Sequence, residues 1–429
     1  MINNKHRLGF KMYRLAKELF PICRSITGDG VRKTLHIIKK EIPLKICEVP
    51  SETKVFDWEV PMEWNIKEAW IKDPSGKKVV DFTDNNLHIV GYSTPINAEM
   101  PLSKLEEHLY SLPDKPDAIP YVTSYYKETW GFCLSQKVRE KLIDGIYKIH
   151  IKSTLTNGSL TYGELIIKGR SKKEIFLSTN ICHPSLANNE ISGPALTTYL
   201  AKWIQGKPRN YTYRIIFIPE TIGSLVYLSR NIDTMKNNII AGFNITCVGD
   251  DHIYSFLPSR NGSTVADKIA RRTLEKLHSG FKSYSFLDRG SDERQYCAPG
   301  IDLPVVSIMR SKYREYPEYH SSLDNLSLIS PAGLQGSFDV LKECIETIEK
   351  NPRYQSIFLG EAQLGKRNLY PSLSYVKTAR NKSRLYQNIL AYADGTNDIE
   401  ELERLIKIPK AEILEAVRTL LNEKLIKKI

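Results

Sequence analysis

The feature that most constrains the fold is a regular alternation of strand-like and helix-like segments between residues 173 and 350. Apolar segments of strand length alternate with segments of helical periodicity; the strand-like segments read EIFLSTNI, TYRIIFIPE, IIAGFNITCVG and DLPVVSIM. Continuous apolar strands separated by helices are typical of a largely parallel sheet covered by helices on both faces. The alternation therefore predicts an α/β domain built around one such sheet.

Composition limits the class of protein. The 429 residues are enough for two or three domains, and 41% hydrophobic content is ordinary for a folded chain. No apolar run reaches the roughly 20 residues that span a bilayer, and residues 1–20 lack the apolar core of a signal peptide. Seven scattered cysteines indicate reduced thiols. We therefore expect a cytoplasmic protein with no membrane partner.

The net charge of +12 raises the question of a nucleic-acid partner. The lysines are spread over the whole chain, and no dense basic block occurs. A solvated, lysine-rich surface is the better interpretation of this charge than a polyanion-binding site.

Residues 46–149 differ from the α/β segments. They contain short alternating runs separated by Pro, Gly and Asn, which predict an inserted, mostly β domain. Aromatic residues crowd together near its end, among them Tyr126 and Trp130. They form either one wall of a substrate pocket, which makes Tyr126 and Trp130 candidate substrate-binding residues, or packing between two domains.

Residues 372–429 predict a third unit. Three short helical segments occur there, with Pro409 at the start of the third, and a winged-helix module fits this pattern. The third helix carries a balanced set of charges, which are Lys410, Glu412, Glu415, Arg418, Glu423 and Lys424. Carboxylates facing phosphates would weaken DNA binding, so a packing or dimerisation role is favoured and a nucleic-acid partner is not expected.

Several groups with metal or acid–base chemistry follow the predicted strands of the α/β domain. They are His183, Asn189, Glu190, Glu220 and His320. Each alone is a weak signal, but all are expected at the carboxyl edge of one sheet. Two imidazoles and a carboxylate can hold Zn²⁺ and leave a position for water, and a second carboxylate can accept a proton from that water. This set predicts a hydrolytic metal site.

The loop RGSDERQY supplies two further polar candidates at the same edge, Asp292 and Arg294. They are positioned to pair with an amine or a carboxylate of a substrate. An internal ion pair is the competing interpretation.

The order of motifs CHPSLANNEISG, PETIGS, GSDERQYCAPGIDLP and YHSSLDNL resembles the zinc aminopeptidase superfamily, which includes leucyl aminopeptidases, glutaminyl cyclases and glutamate carboxypeptidases. With RSITGDGVRKTL, DWEVPMEWNI and YYKETWGFC, the chain looks more narrowly like aminopeptidase-like proteins associated with bacterial polysaccharide-biosynthesis loci. The resemblance covers nearly the whole chain. It implies a phosphorylase/hydrolase-like three-layer α/β/α sandwich formed by residues 1–45 and 150–365, with the inserted domain and the winged helix appended.

The resemblance also implies roles for single residues, with departures. His183 and His320 match histidine ligands, although Ser185 stands where an aspartate usually orients the first histidine. Asn189 stands at the position of the bridging aspartate, with Glu190 beside it. An amide brings no charge to offset two zinc ions.

Two further positions depart from the superfamily pattern. The superfamily usually has two consecutive glutamates, the first a base and the second a metal ligand. In this chain they align with Glu220 and Thr221, or, if the alignment gap is shifted, with Pro219 and Glu220. The next aspartate ligand falls on Thr246, with two aspartates shortly after it. Because these changes remove charge, one zinc ion is expected rather than two.

The resulting prediction is a zinc-dependent hydrolase of a peptide or amide bond. His183, Glu190 and His320 are predicted to hold the metal, with Asn189 at the bridging position, and Glu220 is predicted to be the base. The expected substrate is a small peptide or an amide-bearing molecule such as an amino-sugar derivative. The alternatives are a degenerate enzyme fold that binds a sugar, peptide or protein, and a regulator that acts through its winged helix. A homo-oligomer is left open.

Overall fold

The computed structural model describes residues 7–370 and 377–429, with side chains for all of these except residues 377–381. The helices are α1 Arg7–Leu19, α2 Asp29–Glu41, α3 Leu102–Leu105, α4 Gln136–Arg139, α5 Ser192–Gln205, α6 Ile222–Asn238, α7 Val265–Leu277, α8 Glu293–Tyr296, α9 Pro331–Lys350, α10 Lys377–Ala391, α11 Ile399–Ile406 and α12 Lys410–Asn422. The strands are β1 Lys45–Pro50, β2 Lys54–Val55, β3 Trp58–Glu59, β4 Glu63–Lys72, β5 Lys78–Asp81, β6 Ile96–Pro101, β7 Leu109–Tyr110, β8 Phe132–Cys133, β9 Ile146–Thr156, β10 Ser159–Ile167, β11 Glu174–Asn180, β12 Thr212–Ile218, β13 Ile239–Ile245, β14 Ser255–Leu257, β15 Lys282–Ser283, β16 Val305–Met309, β17 Tyr354–Ser356 and β18 Ile426–Lys428.

The central sheet has eight strands in the order β1-β10-β12-β11-β13-β16-β14-β15. Strands β12, β11, β13 and β16 are parallel. The pairs β1–β10, β10–β12 and β14–β16 are antiparallel, and the edge strand β15 pairs parallel with β14. Every residue of β11 and β12 is buried, as expected for strands that are covered on both faces. The predicted mainly parallel α/β sheet is therefore confirmed.

The two faces of this sheet are covered differently. Residues of α1, α2, α5, α7 and α9 form one hydrophobic core with the sheet. The core on the other face contains residues of α6 and α8 and of the inserted β unit. The insertion therefore packs on the same face as α6, which begins close to Glu220.

The inserted unit is built on a four-stranded antiparallel sheet, β5-β4-β9-β6, which runs from Glu63 to Thr156. The predicted insertion, residues 46–149, begins inside β1, which belongs to the central sheet. The Asn157-Gly158 dipeptide between two strand-like segments is typical of a hairpin turn, but no hairpin forms there. Strands β9 and β10 do flank this turn, but β9 pairs with β4 and β6, whereas β10 pairs with β1 and β12.

The C-terminal unit is a winged helix, as predicted, formed by α10, α11, α12 and the antiparallel pair β17–β18. Its first strand begins at Tyr354, ahead of the predicted start at residue 372, which lies outside the described residues. Arg272 of α7 makes a two-pronged contact with Asp398, with distances of 3.1 and 2.7 Å. This partly buried ion pair ties the module to the α/β domain.

Among the described residues, none of the helices combines the length and the apolar character that crossing a bilayer requires.

Candidate active site

The turn after β11 carries the first histidine of the site. It runs through Cys182 and His183 into a π-helical turn, Ala187–Ile191, which leads directly into α5. Such π-helical turns are frequent at functional sites. All residues from Ile181 to Ile191 are buried, so this polar segment must satisfy its hydrogen bonds internally.

Glu190 accepts three of those hydrogen bonds. One carboxylate oxygen accepts the backbone N–H of His183 at 2.9 Å and also that of Cys182. The other lies 2.7 Å from His183 Nδ1. A carboxylate on Nδ1 fixes the orientation of the ring and leaves Nε2 free as a ligand atom.

The pKa of His183 reflects this environment. Burial lowers the pKa, but the neighbouring Cys182 and Glu190 raise it more strongly, so that it lies well above its usual value. This direction describes the metal-free ring; a metal on Nε2 would displace the proton there, while Nδ1 stays paired with Glu190.

The side chains of His183, Glu220 and His320 line one cavity of about 360 Å³. His183 Nε2 lies 3.8 Å from Glu220 Oε2, and the two imidazole rings are 5.4 Å apart between centroids. The structure thus brings together three of the residues that the sequence selected. The other lining residues are Ile26, Trp58, Tyr121, Thr123, Tyr125, Tyr126, Cys182, Thr221, Ile222 and Arg294.

His320 stands in a left-handed backbone conformation, with φ of 54°. Its ring stacks on Tyr319 at 3.9 Å, and its carbonyl accepts the N–H of Tyr121 at 2.9 Å. Burial and the neighbouring His183 lower the pKa of His320 to about 3. The ring is therefore neutral at pH 7, which is the state that binds metals.

Glu220 lies in a strained turn. The next residue, Thr221, has φ of 64° and ψ of −80° just before α6 begins. A threonine in such a conformation must be held by its surroundings, and strain of this kind concentrates at functional sites. Burial raises the pKa of Glu220, which makes its carboxylate a stronger base.

Asp292, a predicted substrate contact, instead holds this turn. It is fully buried, and one oxygen accepts the N–H of Thr221 at 2.7 Å and the hydroxyl of Ser224 at 2.9 Å. Burial and the nearby Glu220 raise the pKa of Asp292 to about 8. Asp292 does not line the cavity, whereas Arg294 does, and Arg294 donates to the hydroxyl of Thr221.

Asn189 also lies outside the cavity lining. Its N–H donates to Asp324 at 3.0 Å, and its carbonyl accepts the hydroxyl of Thr246 at 2.8 Å. Its side-chain oxygen is buried, with no hydrogen-bond partner among the described residues. The two positions that lack the expected carboxylates, Asn189 and Thr246, are therefore in direct contact with each other.

The two aromatic candidates have different surroundings. Tyr126 lines the cavity and is 57% exposed. Trp130 does not line it and stacks on His108, with 3.7 Å between ring centroids. Trp130 thus packs inside the inserted unit, so it is neither a wall of this cavity nor part of a contact with His108 between two domains.

Three residues near the site were not selected from the sequence. Tyr121 stands edge-on to both histidine rings, at 4.9 and 5.1 Å. Arg24 is buried and donates to the carbonyl of His183 at 3.0 Å. The signals were the aromatic cluster that includes Tyr121 and the RSITGDG motif that begins with Arg24.

Cys182 is the third. Its sulfur lies 3.5 Å from His183 Nδ1 and accepts the N–H of Glu220 at 3.2 Å. The ligand atoms of Cys182, His183 and Glu190 lie within 4.8 Å of one another, which makes them a possible metal cluster among the described residues. Burial raises the pKa of the Cys182 thiol to about 12, so it is a protonated thiol at neutral pH.

Comparisons with known proteins agree with this architecture. The family model described as a domain of unknown function (DUF4910) matches residues 13–351, and a winged helix-turn-helix model matches residues 352–428. A protein of Clostridium acetobutylicum, named as a candidate polysaccharide biosynthesis protein with an aminopeptidase-like domain, is 49% identical over 372 residues. That alignment covers 86% of this chain and 85% of the relative.

Two solved structures extend the comparison. The crystal structure of a candidate peptidase from Clostridium acetobutylicum has a TM-score of 0.83 and 44% identity, covering 99% of this chain and 98% of that one. A zinc aminopeptidase from Bacillus subtilis has a TM-score of 0.58 at 12% identity, covering 79% of this chain and 95% of that one. At such low identity the second likeness concerns the fold alone.

Proposed function

The chain belongs to the DUF4910 family of aminopeptidase-like proteins, and from this premise we propose that it is a zinc-dependent hydrolase of a peptide or amide bond. One observation carries the proposal. The Nδ1 atom of His183 is held by Glu190 at 2.7 Å, while Nε2 lies 3.8 Å from Glu220 in a cavity shared with His320. A carboxylate–histidine pair of this kind is the usual support of a catalytic zinc ligand.

The cavity offers two histidine ligands for one zinc ion, one fewer than the three protein ligands that a catalytic zinc site usually has. His183 Nε2 and His320 would hold it, and the lowered pKa of His320 favours the neutral imidazole that a metal needs. Glu190 was predicted as a ligand, but both of its oxygens already accept hydrogen bonds, so we assign it the orientation of His183. A bound zinc ion would lower the pKa of its water and polarise the substrate carbonyl. Asn189 and Thr246 offer no carboxylate for a second ion.

Glu220 is the proposed base. It is the one carboxylate among the residues that line the described cavity. Its raised pKa suits a group that accepts a proton from water and returns it to a leaving amine. Asp292 supports this role, because its hydrogen bonds to Thr221 and Ser224 hold the turn on which Glu220 stands.

The substrate is proposed to be a small peptide or amide-bearing molecule, an amino-sugar derivative included. The name of the Clostridium relative, which concerns polysaccharide biosynthesis, supports the second class. Tyr126 and Arg294 line the cavity and are the proposed substrate contacts. The reaction is proposed to be cytoplasmic, in keeping with seven cysteines that are all free thiols.

A pair of substitutions tests the proposal. Glu220→Gln is expected to keep stoichiometric zinc while hydrolysis of aminoacyl and acyl-amino-sugar amides falls by about 10²-fold or more. His320→Ala is expected to lose the zinc, as measured by metal analysis after dialysis. Trp130→Phe, outside the cavity, is the control and should keep both. Loss of zinc from the Glu220→Gln protein would make Glu220 a ligand instead of the base.

A binding protein without turnover is the second candidate. Asn189 and Thr246 favour it, because they stand where the resemblance implies carboxylates. Wild-type protein that binds no zinc under the same dialysis would establish this candidate and overturn the hydrolase.

A further inference from the structure

Arg294 places a positive charge at the wall of the candidate active-site cavity. It lies on the short helix α8 and lines the cavity together with Glu220 and Thr221. It is the one lysine or arginine among the residues that line this cavity, just as Glu220 is the one carboxylate. A fixed charge in a concave space attracts a ligand of opposite sign.

The guanidinium of Arg294 has few partners within the protein. One terminal nitrogen donates to the hydroxyl of Thr221, whereas Nε is buried and has no hydrogen-bond partner among the described residues. The internal ion pair with Asp292, which was the competing interpretation of the sequence, does not form, and Arg294 pairs with no other carboxylate within residues 7–370 and 377–429. A guanidinium has five N–H donors, and a buried donor without an acceptor costs free energy. Arg294 would therefore be stabilised by an acceptor that the protein itself does not supply.

A second feature of the same wall favours an anion. Thr221 is the N-cap residue of α6, and both Thr221 and Ile222 line the cavity, so the helix begins at this wall. The side chain of Thr221 accepts no hydrogen bond from the first turn of the helix. The amino end of a helix carries a partial positive charge, which adds to the charge of Arg294.

The charge balance favours a carboxylate over a phosphate. Arg294 is a single cation, and it is hydrogen-bonded to the residue that follows Glu220. A phosphate dianion would exceed the charge of Arg294 and would be repelled more strongly by Glu220. A carboxylate carries one charge, and its two oxygens match the planar fork of a guanidinium.

We propose that Arg294 binds a carboxylate of the substrate, so that the hydrolysed amide belongs to a molecule with an acidic group close to the reacting bond. The inference rests on the proposed function for the position of that bond, because Glu220 is the proposed base. It narrows the substrate class to acidic amides, such as an acylated amino acid or an acylated amino-sugar acid. Once Glu220 serves as the base, the described lining has no further carboxylate for a free ammonium.

Binding measurements test the proposal separately from turnover. The probes are N-acetyl-alanine and N-methylsuccinamic acid, which carry the carboxylate on the amine side and on the acyl side of the amide. Each is matched with the neutral compound in which a primary amide replaces the carboxylate. Isothermal titration calorimetry is performed on the full-length Glu220→Gln protein, where the proposed base is absent. At least one acid is expected to bind about tenfold more tightly than its neutral partner, and the preference should decrease as the salt concentration rises.

Variants of Arg294 in the same background show whether this residue causes the preference. Arg294→Gln is expected to remove it. Arg294→Lys keeps the charge and a donor for Thr221 but loses the planar fork, so it should retain part of the preference. The matched control is Arg289→Gln, which removes the same charge from an exposed position of the RGSDERQY segment outside the cavity lining and should retain the full preference.

The outcomes separate this inference from the proposed function. Equal affinities for both acids and their neutral partners, a preference that survives Arg294→Gln, or one that is absent from Arg294→Lys overturn the inference. Tighter binding of the phosphonate analogue of N-acetyl-alanine than of N-acetyl-alanine also overturns it, because the recognised group would then be a phosphate. A preference that depends on Arg294 in a protein without hydrolytic activity upholds the inference while the proposed function fails.

Discussion

The cavity at the carboxyl edge of the central sheet and the exposed face of α12 are the two places where the folds of this chain usually recognise ligands. Around the cavity, buried His183 and Glu190 are hydrogen-bonded to each other, and buried Asp292 accepts the N–H of Thr221. On α12, Lys410 and Glu415 are exposed and pair with Glu400 and Lys382. Position within a fold therefore identifies only a candidate site, and the burial and hydrogen bonding of its polar side chains distinguish the cavity from the face of α12.

The largest expected difference between the two regions is the effect of replacing a glutamate by glutamine, at Glu190 beside the cavity and at Glu415 on α12. In Glu190→Gln the amide N–H₂ would face His183 Nδ1 and favour the tautomer that carries its proton on Nε2. Zinc affinity is then expected to fall by about 10- to 100-fold, with a loss of about 1–3 kcal/mol of stability. Equilibrium dialysis with zinc and urea unfolding measure the two effects.

Glu415→Gln on α12 is the matched control and should change stability by less than about 0.5 kcal/mol. Zinc affinity that is equal in the Glu190→Gln and wild-type proteins would contradict the role assigned to Glu190.

A smaller effect is expected for an ion pair near the insertion. Arg32 makes two hydrogen bonds to Glu63, at 2.7 and 2.6 Å, and these lower the pKa of Glu63 to about 2. Because the pKa is lower in the folded state than the unfolded value of about 4.3, the pair stabilises the protein fully only above that value. The contribution is lost as the pH falls toward about 2.

Urea unfolding of Glu63→Gln between pH 7 and pH 3 checks this expectation. The variant should be less stable than wild type by about 1 kcal/mol at pH 7, since the pair is partly exposed to solvent, and the gap should narrow at acidic pH. The exposed Lys382–Glu415 pair, removed by Glu415→Gln, provides the comparison. A difference in unfolding free energy between wild type and Glu63→Gln that stays constant from pH 7 to pH 3 would mean that the ion pair does not cause it.

The smallest effect is expected for DNA. Because the charges of α12 are balanced and partly paired, the protein should bind a labelled 20-base-pair duplex only in the non-specific range, with Kd of about 10⁻⁴ to 10⁻⁶ M at physiological salt. Fluorescence anisotropy over a salt series measures it. Sub-micromolar, sequence-selective binding would show that the face of α12 is a recognition surface, in spite of its exposed and paired charges.

The parts of the fold that follow local periodicity could be predicted from the sequence. The alternation after residue 173 gave the mainly parallel sheet, and the three C-terminal helices gave the winged helix. The partners of β9 and β10 could not be predicted, because spacing and turn residues favour a hairpin but do not reveal that other strands compete for both edges.

The same division holds for the candidate site. His183, Glu220 and His320 stand after strands or in a distinctive motif, and they do line one cavity. The roles of Glu190 and Asp292 depend on which atoms their oxygens meet across turns distant in sequence. The spacing of residues along the sequence does not reveal these contacts. It also does not reveal that Tyr121 packs against the rings of both His183 and His320.

The pairing of the inserted unit with the loop of His320 has a consequence for any attempt to shorten this chain to its α/β domain. The carbonyl of Ile119 accepts the N–H of Ser322 at 2.8 Å, and the N–H of Tyr121 donates to the carbonyl of His320 at 2.9 Å. Excising the insertion would therefore release the loop that carries one of the two histidines. A chimera that takes the inserted unit from a relative would therefore also have to take the loop of His320 from that relative.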